Sequence, residues 1–171
     1  QTARENGAGC GTTTAGLAFG GNPKTGATET WNGTNWTEVN DMNTNRDRLG
    51  GAGIQTAALA FGGGTPSATK ASGALGTARY QLSSATNAPQ NAALGFGGTN
   101  GSNYLTVTES YNGTNWTEVN DLNAAKAFAG GAGIQTAALI FGGYGPGISV
   151  TNQTELWNGS NWTEVNDLNT A

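Results

Sequence analysis

At 171 residues and 17.2 kDa, the chain is long enough for one compact domain or for a row of small units sharing a core. Its formal charge of −4, pI near 4.6 and seven scattered Lys and Arg lack the clustered positive surface that phosphate backbones require, so no nucleic-acid partner is expected. Gly accounts for 29 residues without a Gly-X-Y period, and the apolar residues recur in regular clusters, which excludes collagen and argues against disorder in favour of a turn-rich all-β chain.

Further exclusions follow from single residue types. Without His, catalysis by Ser-His-Asp or Cys-His and His-ligated metals are ruled out. Cys10 is alone, so there is no intrachain disulfide. Apolar runs such as "AALAF" and "AALIF" are far too short for a membrane span, and no membrane insertion is expected. Gln1 follows neither an initiator Met nor a signal pattern, so a processed or partial product is expected.

In chain order, the sequence reads as four units, 2–43, 44–76, 77–123 and 124–169, in a single repeat domain 1–171. Each carries Phe-Gly-Gly, at Phe19, Phe61, Phe96 and Phe141. Unit 1 runs through a strand holding Cys10, a second strand "AGLAF", the loop "NPKTGAT" and the phrase "NGTNWTEVND" from Asn32 to Asp41. Unit 2 gives "GGAGIQTAALAFGG", then "TPSATKASGALG", and restarts at Thr77 without an aromatic hairpin. Either this unit has lost its two outer strands or residues of the molecule are missing from the sequence. Unit 3 repeats "NGTNWTEVND" unchanged from Asn112 to Asp121, after the loop "TNGSNYLTV". Unit 4 displays the layout most fully: "FAGGAGI" as first strand, "QT" as turn, "AALIF" as second strand, the loop "YGPGISVTN", "QTELW" as third strand, "NGSN" as turn and "WTEVNDL" as fourth strand. Asn-Gly between aromatic-flanked runs is a hairpin signal, because both residues accept positive φ. No helical periodicity appears.

Second strands built from small residues suit a crowded centre, and bulky Trp or Tyr on the third and fourth strands suits a widening periphery. Such tapered four-stranded blades, repeated along the chain, point to a β-propeller. The pattern resembles the kelch family: Arg48, Gly51, Phe61, Gly62 and Gly63 match its first half in unit 2, and Gly142, Gly143, Trp157 and Trp162 its second half in unit 4. The aromatic pairs of units 1 and 3 are Trp31 with Trp36 and Tyr111 with Trp116. The resemblance implies antiparallel kelch-like blades in a ring, although the aromatic-to-Trp spacing is shorter than the family's and four units are fewer than a kelch ring holds, so the chain is expected to close alone, with other copies, or within a longer polypeptide. "ETWNGTNWTEVNDMNT" joined to "GGAGIQTAALAFGG" also resembles repeats of virion and tail-fibre-like proteins of marine bacteriophages.

The candidate chemistry is sparse. Glu38 with Asp41, Glu118 with Asp121 and Glu164 with Asp167 recur in every "TEVND" and would be dispersed around a ring, where acid–base catalysis needs two carboxylates converging on one substrate. Asp41, Asp121 and Asp167 have no calcium-loop spacing, so no metal or cofactor is expected. Asn-X-Ser/Thr triplets such as Asn32 and Asn100 read as by-products of turn chemistry. The Trp residues serve either as packing between blades or, at Trp36, Trp116 and Trp162, as platforms stacking on sugar rings. The loops between second and third strands vary while the framework repeats, which is where specificity usually resides. Lys24, Asn103, Tyr104 and Tyr144 in those loops are the candidate contacts. The resulting expectation is a non-enzymatic structural or adhesive module of a virion or extracellular appendage, meeting other virion or surface proteins in an oligomer or larger assembly. The alternative is a lectin-like propeller that binds host glycans.

Overall fold

The computed structural model describes residues 3–64 and 75–169, which form strands and turns with no helix. Unit 1 is an antiparallel four-stranded sheet of β1 (Ala8–Gly11), β2 (Gly16–Phe19), β3 (Thr28–Trp31) and β4 (Trp36–Val39), paired in chain order. Unit 2 contributes the hairpin β5 (Gly50–Ile54) and β6 (Ala57–Phe61); its expected truncation falls on residues 65–74, outside the described residues. Unit 3 repeats the four-stranded sheet with β7 (Ser83–Ser84), β8 (Leu94–Phe96), β9 (Thr108–Tyr111) and β10 (Trp116–Val119). Unit 4 pairs β11 (Gly130–Ile134), β12 (Ala137–Phe141), β15 (Thr154–Trp157) and β16 (Trp162–Val165), with a small hairpin of β13 (Tyr144–Gly145) and β14 (Ser149–Val150) inserted before β15.

The repeated phrase forms the outer hairpin. In "NGTN", the Asn32 side-chain oxygen accepts the backbone N–H groups of Thr34 and Asn35 at 2.9 and 2.8 Å, and Gly33 takes φ of 93°, which a side chain would strain. Asn112 and Asn158 repeat the same pair of bonds. This tight turn sets Trp31 opposite Trp36, Tyr111 opposite Trp116 and Trp157 opposite Trp162, with ring centroids 5.4, 5.1 and 5.3 Å apart. It also accounts for the aromatic spacing shorter than that of kelch repeats. At the other end of the hairpin, Asp41, Asp121 and Asp167 each accept the N–H of the first residue of the third strand, Thr28, Thr108 and Thr154. The recurring Asp therefore fixes where that strand begins.

Units 2, 3 and 4 stack through their aromatic residues. Trp116 of unit 3 packs on Phe61 of unit 2 with ring centroids 4.7 Å apart, and Trp162 of unit 4 packs on Phe96 of unit 3 at 4.9 Å. Both Phe rings are fully buried, and they belong to the hydrophobic core together with Ala52, Leu94 and Ile140. Burying one Trp against such a surface contributes about 4 kcal/mol before ordering costs.

Three ion pairs, two of them fully buried, hold the start of a unit to its own third strand. Arg4 pairs with Glu29 at 2.9 Å, Arg79 with Glu109, and Lys126 with Glu155 at 3.1 Å. Glu109 also accepts the N–H groups of Gly76 and Thr77, and Glu155 those of Asn123 and Ala124. A Glu of the third strand thus holds the connecting segment that enters its own sheet. The basic residue at this phase of unit 2 is Arg46, buried and donating to the Gly62 carbonyl at 3.3 Å. Arg46, and not Arg48, thus stands where Arg4, Arg79 and Lys126 stand in the other units. Arg48 instead has φ of 56° and shares its phase with Asn6, Gln81 and Phe128, all left-handed.

Those left-handed residues form a backbone relay across the units. Arg48 N–H donates to the Asn6 carbonyl, Gln81 N–H to the Arg48 carbonyl and Phe128 N–H to the Gln81 carbonyl, at 2.7, 2.8 and 3.1 Å. In parallel, Gly21, Gly63 and Gly98 donate to the carbonyls of Arg46, Arg79 and Lys126. Gln55 reaches back from the unit 2 turn to the Gly16 and Trp31 carbonyls, and Gln135 from the unit 4 turn to those of Ala93 and Tyr111. Among the described residues, hydrogen bonds join units 1 to 2, 2 to 3 and 3 to 4, and ring contacts add to the last two junctions.

Candidate binding cleft between two loops

The loops between second and third strands of units 3 and 4 enclose a cleft of about 340 Å³, lined by Thr99, Gly101, Ser102, Asn103, Tyr104, Pro146, Gly147 and Ile148. Its unit 3 wall is built like the outer turns. The Asn100 side-chain oxygen accepts the N–H groups of Ser102 and Asn103 at 3.0 and 2.8 Å, so "NGSN" at 100–103 is one more copy of the same turn, placed in a variable loop. Thr99 braces it by donating its hydroxyl to the Asn103 carbonyl at 2.8 Å and accepting the Gly101 N–H at 3.1 Å. Asn103 and Tyr104 are therefore presented from a stiff tip.

The unit 4 wall is the tip of the β13–β14 hairpin. Ile148 has φ of 61°, a conformation that costs a β-branched residue on the order of 1–3 kcal/mol. It is also 74% exposed, and Val150 beside it is 77% exposed. A strained, apolar and outward-facing tip next to Tyr104 offers contact surface, while Asn103 and the Thr99 loop supply polar groups for orientation.

The sequence-predicted contacts divide. Asn103 and Tyr104 come together in the cleft wall. Tyr144 stands at the base of the same hairpin, outside the lining, with its ring edge-on to Phe128 at 5.7 Å; both are exposed. Lys24 lies on the unit 1 loop beside Gly64 of unit 2, remote in sequence and outside the cleft lining. Sequence reasoning passed over Pro146, Gly147 and Ile148, because left-handed strain at an Ile carries no signature in the letters.

The three Trp residues considered for sugar stacking occupy different environments. Trp162 is 6% exposed, in a T-shaped contact with Phe96 and with its indole N–H donating to the Thr108 hydroxyl at 3.0 Å. Trp116 is half-buried between Phe61 and Tyr111. Trp36 is 40% exposed.

Glu38, Glu118 and Glu164 are exposed on the fourth strands, directly opposite Glu29, Glu109 and Glu155 across each hairpin. The charges meant for structure are thus the third-strand carboxylates, which the Thr-Glu pair ahead of each aromatic residue could have revealed. Among the described residues, no group of three or more His, Cys, Asp or Glu is placed to hold a metal ion. Burial pushes the Cys10 thiol above its ordinary value and the Arg46 guanidinium below its own.

No protein-family model matches the chain, and no curated protein matches its sequence.

Proposed function

We propose that the chain is a run of kelch-like propeller blades acting as a non-enzymatic structural or adhesive module, which meets a protein or cell surface through the cleft between the loops of units 3 and 4. The observation that carries this reading is the Ile148 tip: strained, exposed and apolar, facing the braced Asn103–Tyr104 turn across the cleft. Proteins retain such strain where contact requires it. The recurring residues support a framework role, since each buried Glu holds a connecting segment and each Asp holds a strand start. Successive four-stranded sheets with Trp wedged against the Phe of the preceding unit are the packing that propeller blades require. The likeness of the repeats to those of marine phage virion proteins directs the proposal to a virion or extracellular appendage.

The test uses fluorescently labelled chain added to intact bacterial cells, with Tyr104→Ala and Ile148→Ser variants alongside. Saturable binding that falls about tenfold in each variant, with unchanged circular dichroism, is expected for contacts at the centre of a small interface. Binding indifferent to both substitutions, or absent from every strain tried, would remove the proposal.

A further inference from the structure

Arg48 stands at a position that the fold repeats and the sequence varies. Asn6, Arg48, Gln81 and Phe128 share one phase of the repeat, and each is left-handed, with φ between 55 and 58°. Gly adopts that backbone without strain, and the chain uses it so at Gly62, Gly63 and the outer turns. At this phase it keeps four different side chains instead, and strain of this kind persists where a side chain is needed in place.

The framework leaves the Arg48 guanidinium largely unspent. Arg4, Arg79 and Lys126 are ion-paired with Glu29, Glu109 and Glu155, and Arg46 donates to the Gly62 carbonyl. Arg48 has the Asp47 carboxylate 3.5 Å from its Nε, and that carboxylate is only 3% exposed. Its guanidinium also lies over the Tyr80 ring of unit 3, 5.9 Å from the centroid. A buried carboxylate and an aromatic ring thus orient it from two sides. The Arg48 side chain is nonetheless 41% exposed, and its terminal Nη groups have no hydrogen bond among the described residues. An oriented guanidinium with its fork open matches a carboxylate through two parallel bonds.

The surroundings narrow the class of acid. Asn6 and Gln81 flank Arg48 in the backbone relay, each one hydrogen bond away and so roughly 5 Å along the row. Asn6 is exposed and Gln81 half-buried, and neither side-chain amide is hydrogen-bonded among the described residues. Amides both donate and accept, as the hydroxyls of a sugar do. A peptide would instead seek a free strand edge, but the N–H and carbonyl of both Arg48 and Gln81 are taken by the relay. The net charge of −4 disfavours a dense polyanion.

We propose that Arg48, flanked by Asn6 and Gln81, binds the carboxylate of an acidic sugar set among neutral sugars in a surface glycan. The inference rests on side chains of units 1 to 3 and does not depend on the cleft between the loops of units 3 and 4.

An array of immobilised oligosaccharides tests it, with glycans carrying one uronic or sialic acid, their methyl esters, neutral glycans and an acidic peptide. The labelled chain should bind the carboxylate-bearing glycans, lose them on esterification and hold them less well as salt is raised. Arg48→Gln should lower that binding about tenfold. Arg48→Lys keeps a cation beside Asp47 but not the fork, so binding should fall several-fold at an unchanged urea midpoint. An arginine that only neutralised Asp47 would be replaced by Lys without that loss. Gln81→Ala should also weaken binding, whereas Ile148→Ser, at the cleft tip, should leave it unchanged. The proposal is overturned by an array on which no acidic glycan binds, by equal binding to acid and ester, or by a preference for the acidic peptide. Binding indifferent to both Arg48→Gln and Arg48→Lys would overturn it as well.

Discussion

Replacing Glu109 by Gln isolates the contribution of one buried charge. The Arg79 and Glu109 side chains are 0% and 1% exposed and form a direct ion pair. Burial pushes the Arg79 guanidinium below its ordinary value, and the Glu109 hydrogen bond and charge pull it back up. An arginine does not release its proton in a protein, so Glu109→Gln leaves a full positive charge facing a neutral amide. Removing one partner of such a pair costs about 3–5 kcal/mol. The guanidinium keeps bonds to the Thr77 and Gly95 carbonyls at 3.3 and 3.2 Å, and the new amide oxygen can still accept one of the Gly76 and Thr77 N–H groups, which now bond to different carboxylate oxygens. The lower end, roughly 3 kcal/mol, is therefore expected, a large share of the 5–15 kcal/mol that stabilises a typical domain. With a slope of about 2 kcal/mol per molar urea, the unfolding midpoint followed by Trp fluorescence should fall by roughly 1.5 M at constant slope. Adding Arg79→Met removes the stranded charge and should restore more than half of the loss. A loss below about 1 kcal/mol for Glu109→Gln, the size of a surface pair, would refute the reasoning.

Gln135→Ala removes bonds to the Tyr111 carbonyl, the Ser110 hydroxyl and the Ala93 carbonyl, and should destabilise the junction of units 3 and 4 by about 1–2 kcal/mol. An unchanged urea midpoint would count against that clamp. Cys10 has a thiol raised by burial, so its stabilising contribution is full below the unfolded thiol's value and is lost as the pH rises through the folded one. Alkylation of Cys10 should accordingly be slower than that of a free cysteine at mildly alkaline pH and catch up on unfolding, and equal rates in both states would contradict the burial.

The hairpins were legible because their chemistry is local. Asn-Gly between aromatic residues, with the Asn oxygen closing the turn, needs nothing from the rest of the chain, and the strands flanking Gln55-Thr56 and Gln135-Thr136 follow from the same logic. The buried Glu residues were less visible because their partners lie roughly a turn of the repeat away. Glu109 meets Arg79 and Glu155 meets Lys126 only once a connecting segment has folded back over the third strand. The same distance concealed which arginine mattered in unit 2, since Arg46 and Arg48 differ by a two-residue shift that decides whether the side chain is buried or the backbone is left-handed. The cleft was half legible: loop variability indicated Asn103 and Tyr104, while the strain at Ile148 is a property of conformation.

Identical words can also acquire different physics from their place in the row. Asn32–Asp41 and Asn112–Asp121 agree letter for letter, and both build the same Asx turn and the same strand anchor, because those depend on neighbours in sequence. Their Trp residues part company because packing depends on the preceding unit. Trp116 packs on Phe61 of unit 2, whereas Trp36 stacks only on Trp31 of its own hairpin and is 40% exposed. The buried indole N–H of Trp116 has no partner, where that of Trp162 has Thr108, the first residue of the preceding unit's third strand.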